Sequence, residues 1–68
     1  MHAFTARLTE LMEEKNITLR QLEKEVGINH SSVSRWLAGK TLPNIDYLCK
    51  LADYFDCSAD FLLGRTDE

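Results

Sequence analysis

Two residues, Gly27 and Ile28, are all that separates two short amphipathic segments, each with its own start signal. Upstream, Thr18 stands three residues before Gln21, the spacing of a reciprocal capping box, and Ile17 and Leu22 sit at hydrophobic-staple spacing across the same start. Downstream, Asn29 is a capping residue, with Ile28 and Val33 again at staple spacing. Gly27 permits the positive φ of a tight turn after the first segment. A link this short leaves no loop to fold one helix back antiparallel on the other. The two must cross steeply.

The rest of the chain reads as helix as well. Phe4, Leu8, Leu11 and Met12 follow an i, i+4, i+7, i+8 pattern. Asn16 is a left-handed stop after them. Asn44 and Ser58 cap two later segments; in the first, Ile45, Leu48, Leu51, Ala52 and Phe55 form a stripe expected to be buried. In the second, Cys57 and Leu62 stand at staple spacing. The predicted helices cover about 3–15, 19–26, 30–38, 45–55 and 59–63. A single proline and almost no alternation of β-branched residues argue for an all-α fold, and 68 residues allow one small domain over 1–68.

Several function classes fall away. No apolar run is long enough to span a bilayer and no signal-peptide core opens the chain, so the expected location is cytoplasmic and no membrane partner is expected. Cys49 and Cys57 are not spaced as a metal-binding pair, and His2 and His30 are remote from them; two free thiols are expected, Cys57 as a small core residue, with no metal. No nucleophile–base pair or phosphate loop is visible, so neither an enzyme nor a cofactor is expected. The net charge of −3 is unevenly distributed: residues 18–44 carry +2 and the remainder −5. A binding face needs only local positive potential.

The third helix departs from the habit of the others, which show Glu, Lys and Arg to solvent. It carries three serines and a histidine instead. At about 100° per residue, Val33, Trp36 and Leu37 share one side, and His30, Ser31, Ser34, Arg35 and Ala38 gather on the other. Serine is a middling helix former, so a row of it is either a weakly helical solvated face or a surface built for close approach. Ser, His and Arg donate hydrogen bonds to base edges in a major groove, where Glu would repel phosphate. Arg35 suits either guanine or a phosphate.

From Thr18 to Lys40 and on through L-P-N-I-D-Y-L-C-K-L-A-D-Y-F-D-C-S-A-D-F-L-L-G, the chain resembles the lambda-repressor-like (Cro/repressor, XRE) helix-turn-helix family. Apolar residues at Leu22, Val26, Ile28, Val33 and Trp36, glycines at Gly27 and Gly39, and Pro43 carry the resemblance in register. It implies a compact five-helix bundle with the helix-turn-helix formed by helices 2 and 3, the third entering the major groove of double-stranded DNA. It further implies His30, Ser31 and Ser34 as base readers with Arg35 at the edge. Phosphate contacts would come from Thr18, Asn29, Ser32, Lys40, Thr41 and Asn44, plus backbone amides around Gly39. Thr18, Asn29 and Asn44 are equally explained as caps, and Ser32 by a bond to its own helix.

The family pattern is not matched everywhere. Glu23 stands where the family has a small residue, and either turns to water or pairs with Arg35. Leu19 replaces a phosphate-reaching glutamine and reads as packing. Met12 and Leu37 replace an arginine–glutamate pair, an exchange that removes a desolvation cost; the two are expected to touch. The expected function is transcriptional regulation, as a repressor, by a homodimer on an inverted-repeat operator. Tyr54, Phe61 and Leu63 are candidates for the dimer contact or, alternatively, for completing the core. The rival is a protein-interaction module on the same fold, antitoxin-like or regulator-binding, which the acidic total charge favours.

Overall fold

A computed structural model describes residues 3–67; His2 lies outside them. Five helices follow in order: α1 (Ala3–Glu14), α2 (Leu19–Val26), α3 (His30–Leu37), α4 (Ile45–Tyr54) and α5 (Ala59–Leu62). No strand occurs among the described residues.

Each of the last four helices starts on a side chain that accepts a backbone N–H. Thr18 Oγ1 accepts from Gln21 N at 3.1 Å, while Gln21 Oε1 accepts from Thr18 N at 2.9 Å, completing the capping box. Asn29, Asn44 and Ser58 accept from Ser31, Tyr47 and Phe61 in the same way. The helix ends are as uniform as the starts. α1, α3, α4 and α5 close with paired bonds from a left-handed residue and the residue after it, such as Gly39 N to Trp36 O and Lys40 N to Arg35 O, both 3.0 Å. α2 closes with the single bond from Gly27 N to Glu23 O at 3.0 Å.

Two of these stops are not glycine: Asn16 and Asp56 both hold φ of 54°. Asparagine tolerates that region well; aspartate does so less readily. Asp56→Gly is therefore expected to stabilise the fold by about 0.5–1 kcal/mol, the relief of strain exceeding the added chain entropy. A thermal melt checks this, and an unchanged or lower Tm contradicts it.

The core gathers Phe4, Leu8, Leu11 and Met12 of α1 with Leu22, Ile28, Val33, Trp36, Leu51, Ala52, Phe55 and Leu62. Trp36 sits at its aromatic centre, edge-on to Phe4 with centroids 6.1 Å apart and tilted against Tyr47 at 5.8 Å. One expected member is not there. Ile45 is 77% exposed, because burial on its stripe falls toward the start of α4: Leu51 is fully buried, Leu48 half-buried, and Ile45 itself lies beyond the core. Spacing put Ile45 on the right stripe but could not tell how far the core extends along it.

α1 supplies a link that periodicity does not foresee. Thr5 is 3% exposed, and its hydroxyl donates to Trp36 O at 2.9 Å, crossing from the first turn of α1 to the last turn of α3. α2 and α4 are joined at the surface, where the Tyr54 hydroxyl donates to Glu25 Oε2 at 2.5 Å. That hydrogen bond, helped by desolvation and by the carboxylate's charge, raises the Tyr54 pKa. The Cys57 thiol is also pushed up, first by burial and then by Asp56, against a lowering by Lys15.

Candidate nucleic-acid interface

α3 is held at both ends and on its back, leaving one side free. Ile28 and Val33 are fully buried where α2 meets α3, and Trp36 is anchored by α1 and α4. On the free side His30, Ser31, Ser34, Arg35 and Ala38 are all exposed. These are the residues that the helical wheel set opposite Val33 and Trp36.

Beside this face lies a notch of about 370 Å³ between α3, the 38–44 loop and the start of α4. Ser32, Arg35, Thr41 and Asn44 line it, with Trp36, Leu42, Pro43 and Tyr47 as its apolar wall. Four of the candidate contact residues are thus brought to one place, two from α3 and two from the loop that follows it. The Ser32 hydroxyl is half-buried in the notch wall and makes no hydrogen bond among the described residues, so the bond to its own helix is not formed. Asn44 uses Oδ1 on the α4 cap, which leaves its amide N–H donors unspent.

The remaining candidates are dispersed. Thr18 and Asn29 stand at the starts of α2 and α3, each accepting a capping bond, and Lys40 is exposed on the loop. Asn29 lines a separate hollow with Glu23, Gly27, Ile28 and Tyr47. The amides around Gly39 do not fit their expected role: Ala38, Gly39 and Lys40 N–H groups all point back to carbonyls of α3. The next two residues, Thr41 and Leu42, line the notch, and their amides make no internal bond among the described residues. Sequence spacing could not separate these two sets, because the direction of an N–H depends on the left-handed turn at Gly39 and its bonding.

Electrostatics favour an anion here. Among the described residues the ion pairs are Arg7–Asp67 at 3.5 Å and Arg65–Asp60 at 3.6 Å, neither on α3 or its loop. Among the described residues Arg35 and Lys40 have no carboxylate partner. Glu23 is exposed and has no ion-pair partner among the described residues, so of the two alternatives it turns to water rather than to Arg35.

The substituted pair on α1 and α3 borders a common space. Met12 and Leu37 line one open groove of about 580 Å³ with Thr9, Glu13, Asn16, Ile17 and Thr18. Of the candidates for a dimer contact, two are engaged within the domain. Tyr54 is bonded to Glu25, and Phe61 lies half-buried under the Arg7 guanidinium, 4.3 Å from its ring centre. Leu63 remains exposed, as do Leu42 and Ile45. No grouping of three metal-ligating side chains occurs among the described residues, and no helix is long and apolar enough to cross a membrane.

Comparison with known proteins adds to this geometry. Residues 8–62 match the helix-turn-helix family. The HTH-type transcriptional regulator AnsR of Bacillus subtilis is 41% identical over 59 residues, covering 87% of this chain and 51% of AnsR. The cryptic phage CTXphi transcriptional repressor RstR of Vibrio cholerae is 38% identical over 64 residues, covering 91% of this chain and 57% of RstR. The chain therefore spans a little over half the length of these curated relatives. The crystal structure of a transcriptional regulator from Listeria innocua superposes on all of the chain and 64% of its own, with a TM-score of 0.86 at 31% identity.

Proposed function

The chain belongs to the helix-turn-helix family, and from that membership we propose that it is a sequence-specific double-stranded DNA-binding regulator that presents α3 to the major groove and acts as a repressor. The observation that carries this reading is the free side of α3. It offers small donors and a guanidinium with no acidic partner, beside a notch lined with further donors. His30, Ser31 and Ser34 read base edges, with Arg35 at the margin of base and phosphate. Ser32, Thr41 and Asn44 in the notch, together with Lys40, grip phosphate. Thr18 and Asn29 add donors that their caps leave unspent. Repression is supported by the name of RstR, a repressor of similar sequence. Binding is as a homodimer on inverted half-sites, following the two-fold symmetry of such operators.

Selection from a random duplex library at low salt tests the reading, with the mass of the bound complex measured alongside. Enrichment of a two-fold site held by two chains is expected. Enrichment of no sequence transfers the domain to the rival role of binding another protein, which the −5 charge outside residues 18–44 would then serve. On the selected site, Lys40→Ala is expected to weaken all duplexes alike and to lower the salt slope by about 1. Ser34→Gln is expected to change which bases are preferred, with discrimination of about 1–3 kcal/mol at the affected position. A Lys40→Ala effect confined to one sequence, or a Ser34→Gln profile identical to the parent, contradicts these roles.

A further inference from the structure

We propose that Thr5, on a helix that carries none of the reading residues, is a positioning residue for duplex recognition. Its hydroxyl sets the tilt of α3 by holding the carbonyl of Trp36. The inference rests on the DNA-binding reading above and deepens it. α3 has eight residues, so it is roughly 12 Å long. Its start is fixed by the three-residue junction with α2, Gly27 to Asn29, where Ile28 is fully buried. A tilt of about 5° about that start moves the far end by about 1 Å, enough to stretch a 2.9 Å bond beyond hydrogen-bond range.

Consecutive residues of α1 oppose such a tilt. Phe4 meets the Trp36 indole edge-on, and Thr5 bonds the carbonyl of the same residue. The indole contact is non-directional enough to tolerate sliding; the hydrogen bond is not. Trp36 O also accepts from Gly39 N at 3.0 Å, so both lone pairs are engaged and the turn leading to Lys40 and Thr41 is tied to the same atom. A shift there would move Arg35, Lys40 and the notch together. Thr5 itself is held by its surroundings: it is buried, and its own carbonyl accepts from the Thr9 hydroxyl at 2.8 Å.

The test compares Thr5→Val, which keeps the shape and deletes the donor, with Thr5→Ser, which keeps the donor. Both are titrated with the selected duplex and with an unrelated one, and the folded fraction is measured by circular dichroism. Partial unfolding lowers both affinities by the same factor and leaves their ratio unchanged. A mispositioned reading helix lowers the ratio. Thr5→Val is expected to lose about tenfold in the specific-to-unrelated ratio, with Thr5→Ser within about twofold of the parent. Should Thr5→Val not fold alone, the comparison is made in the Asp56→Gly background. A Thr5→Val ratio equal to the parent's overturns the inference, as does an equal loss in Thr5→Ser. Those outcomes are distinct from failure of the DNA reading itself, in which the parent chain would already select no duplex.

Discussion

Trp36→Ala is expected to bring the fold to the edge of unfolding at room temperature, with about 0–2 kcal/mol of stability left. The indole joins α3 to both α1 and α4, through Phe4 at 6.1 Å and Tyr47 at 5.8 Å. Removing a buried tryptophan costs about 3–5 kcal/mol in transfer and cavity terms together. A domain of 68 residues sits near the low end of the usual stability range, roughly 5 kcal/mol, so little is left. The notch is expected to collapse as well, since Trp36 forms part of its wall. Far-ultraviolet circular dichroism with a urea titration measures the effect. A cooperative transition within about 1 kcal/mol of the parent's would show that Trp36 does not carry the core in this way.

Gly64→Ala is expected to cost about 2–3 kcal/mol, more than the same change at Gly27 or Gly39. All three glycines hold φ between 75° and 77°, so all three share the left-handed strain of about 1 kcal/mol. They differ in what a new Cβ would meet. At Gly27 and Gly39 nothing lies within 4 Å, whereas at Gly64 the Cβ of Ala3 would be 2.4 Å away. The end of α5 therefore packs directly on the start of α1. The double change Ala3→Gly with Gly64→Ala is expected to recover the part of the cost due to collision and not the part due to strain. Equal losses at the three glycines would remove the collision from the account.

The readable parts of the fold are those governed by neighbours in sequence. The Thr18–Gln21 box and the caps at Asn29, Asn44 and Ser58 are interactions over two or three residues, so spacing alone identifies them. The polar row on α3 was legible because its partner stripe, Val33 and Trp36, is unambiguous. What stayed hidden depends on distant segments. Thr5 falls on the Leu8–Met12 stripe at i−3 and i−7, a polar residue in an apolar row. Its acceptor lies 31 residues away. The Arg7–Phe61 stacking is likewise a meeting of α1 with α5. Ile45 was misplaced for the complementary reason: its stripe is correct, but the core ends before reaching it.

The repeated left-handed stops, at Asn16, Gly39, Asp56 and Gly64, also bear on how quickly the chain assembles. The capped starts of α2 to α5 and these helix ends can form from residues at hand, before any remote partner arrives. Small helical domains dominated by such near-neighbour contacts refold in roughly microseconds to milliseconds. An opening event in this domain is therefore brief. A protease or an aggregating neighbour meets the equilibrium population of the open chain, and the cell's control over its lifetime runs through stability rather than through the pace of unfolding.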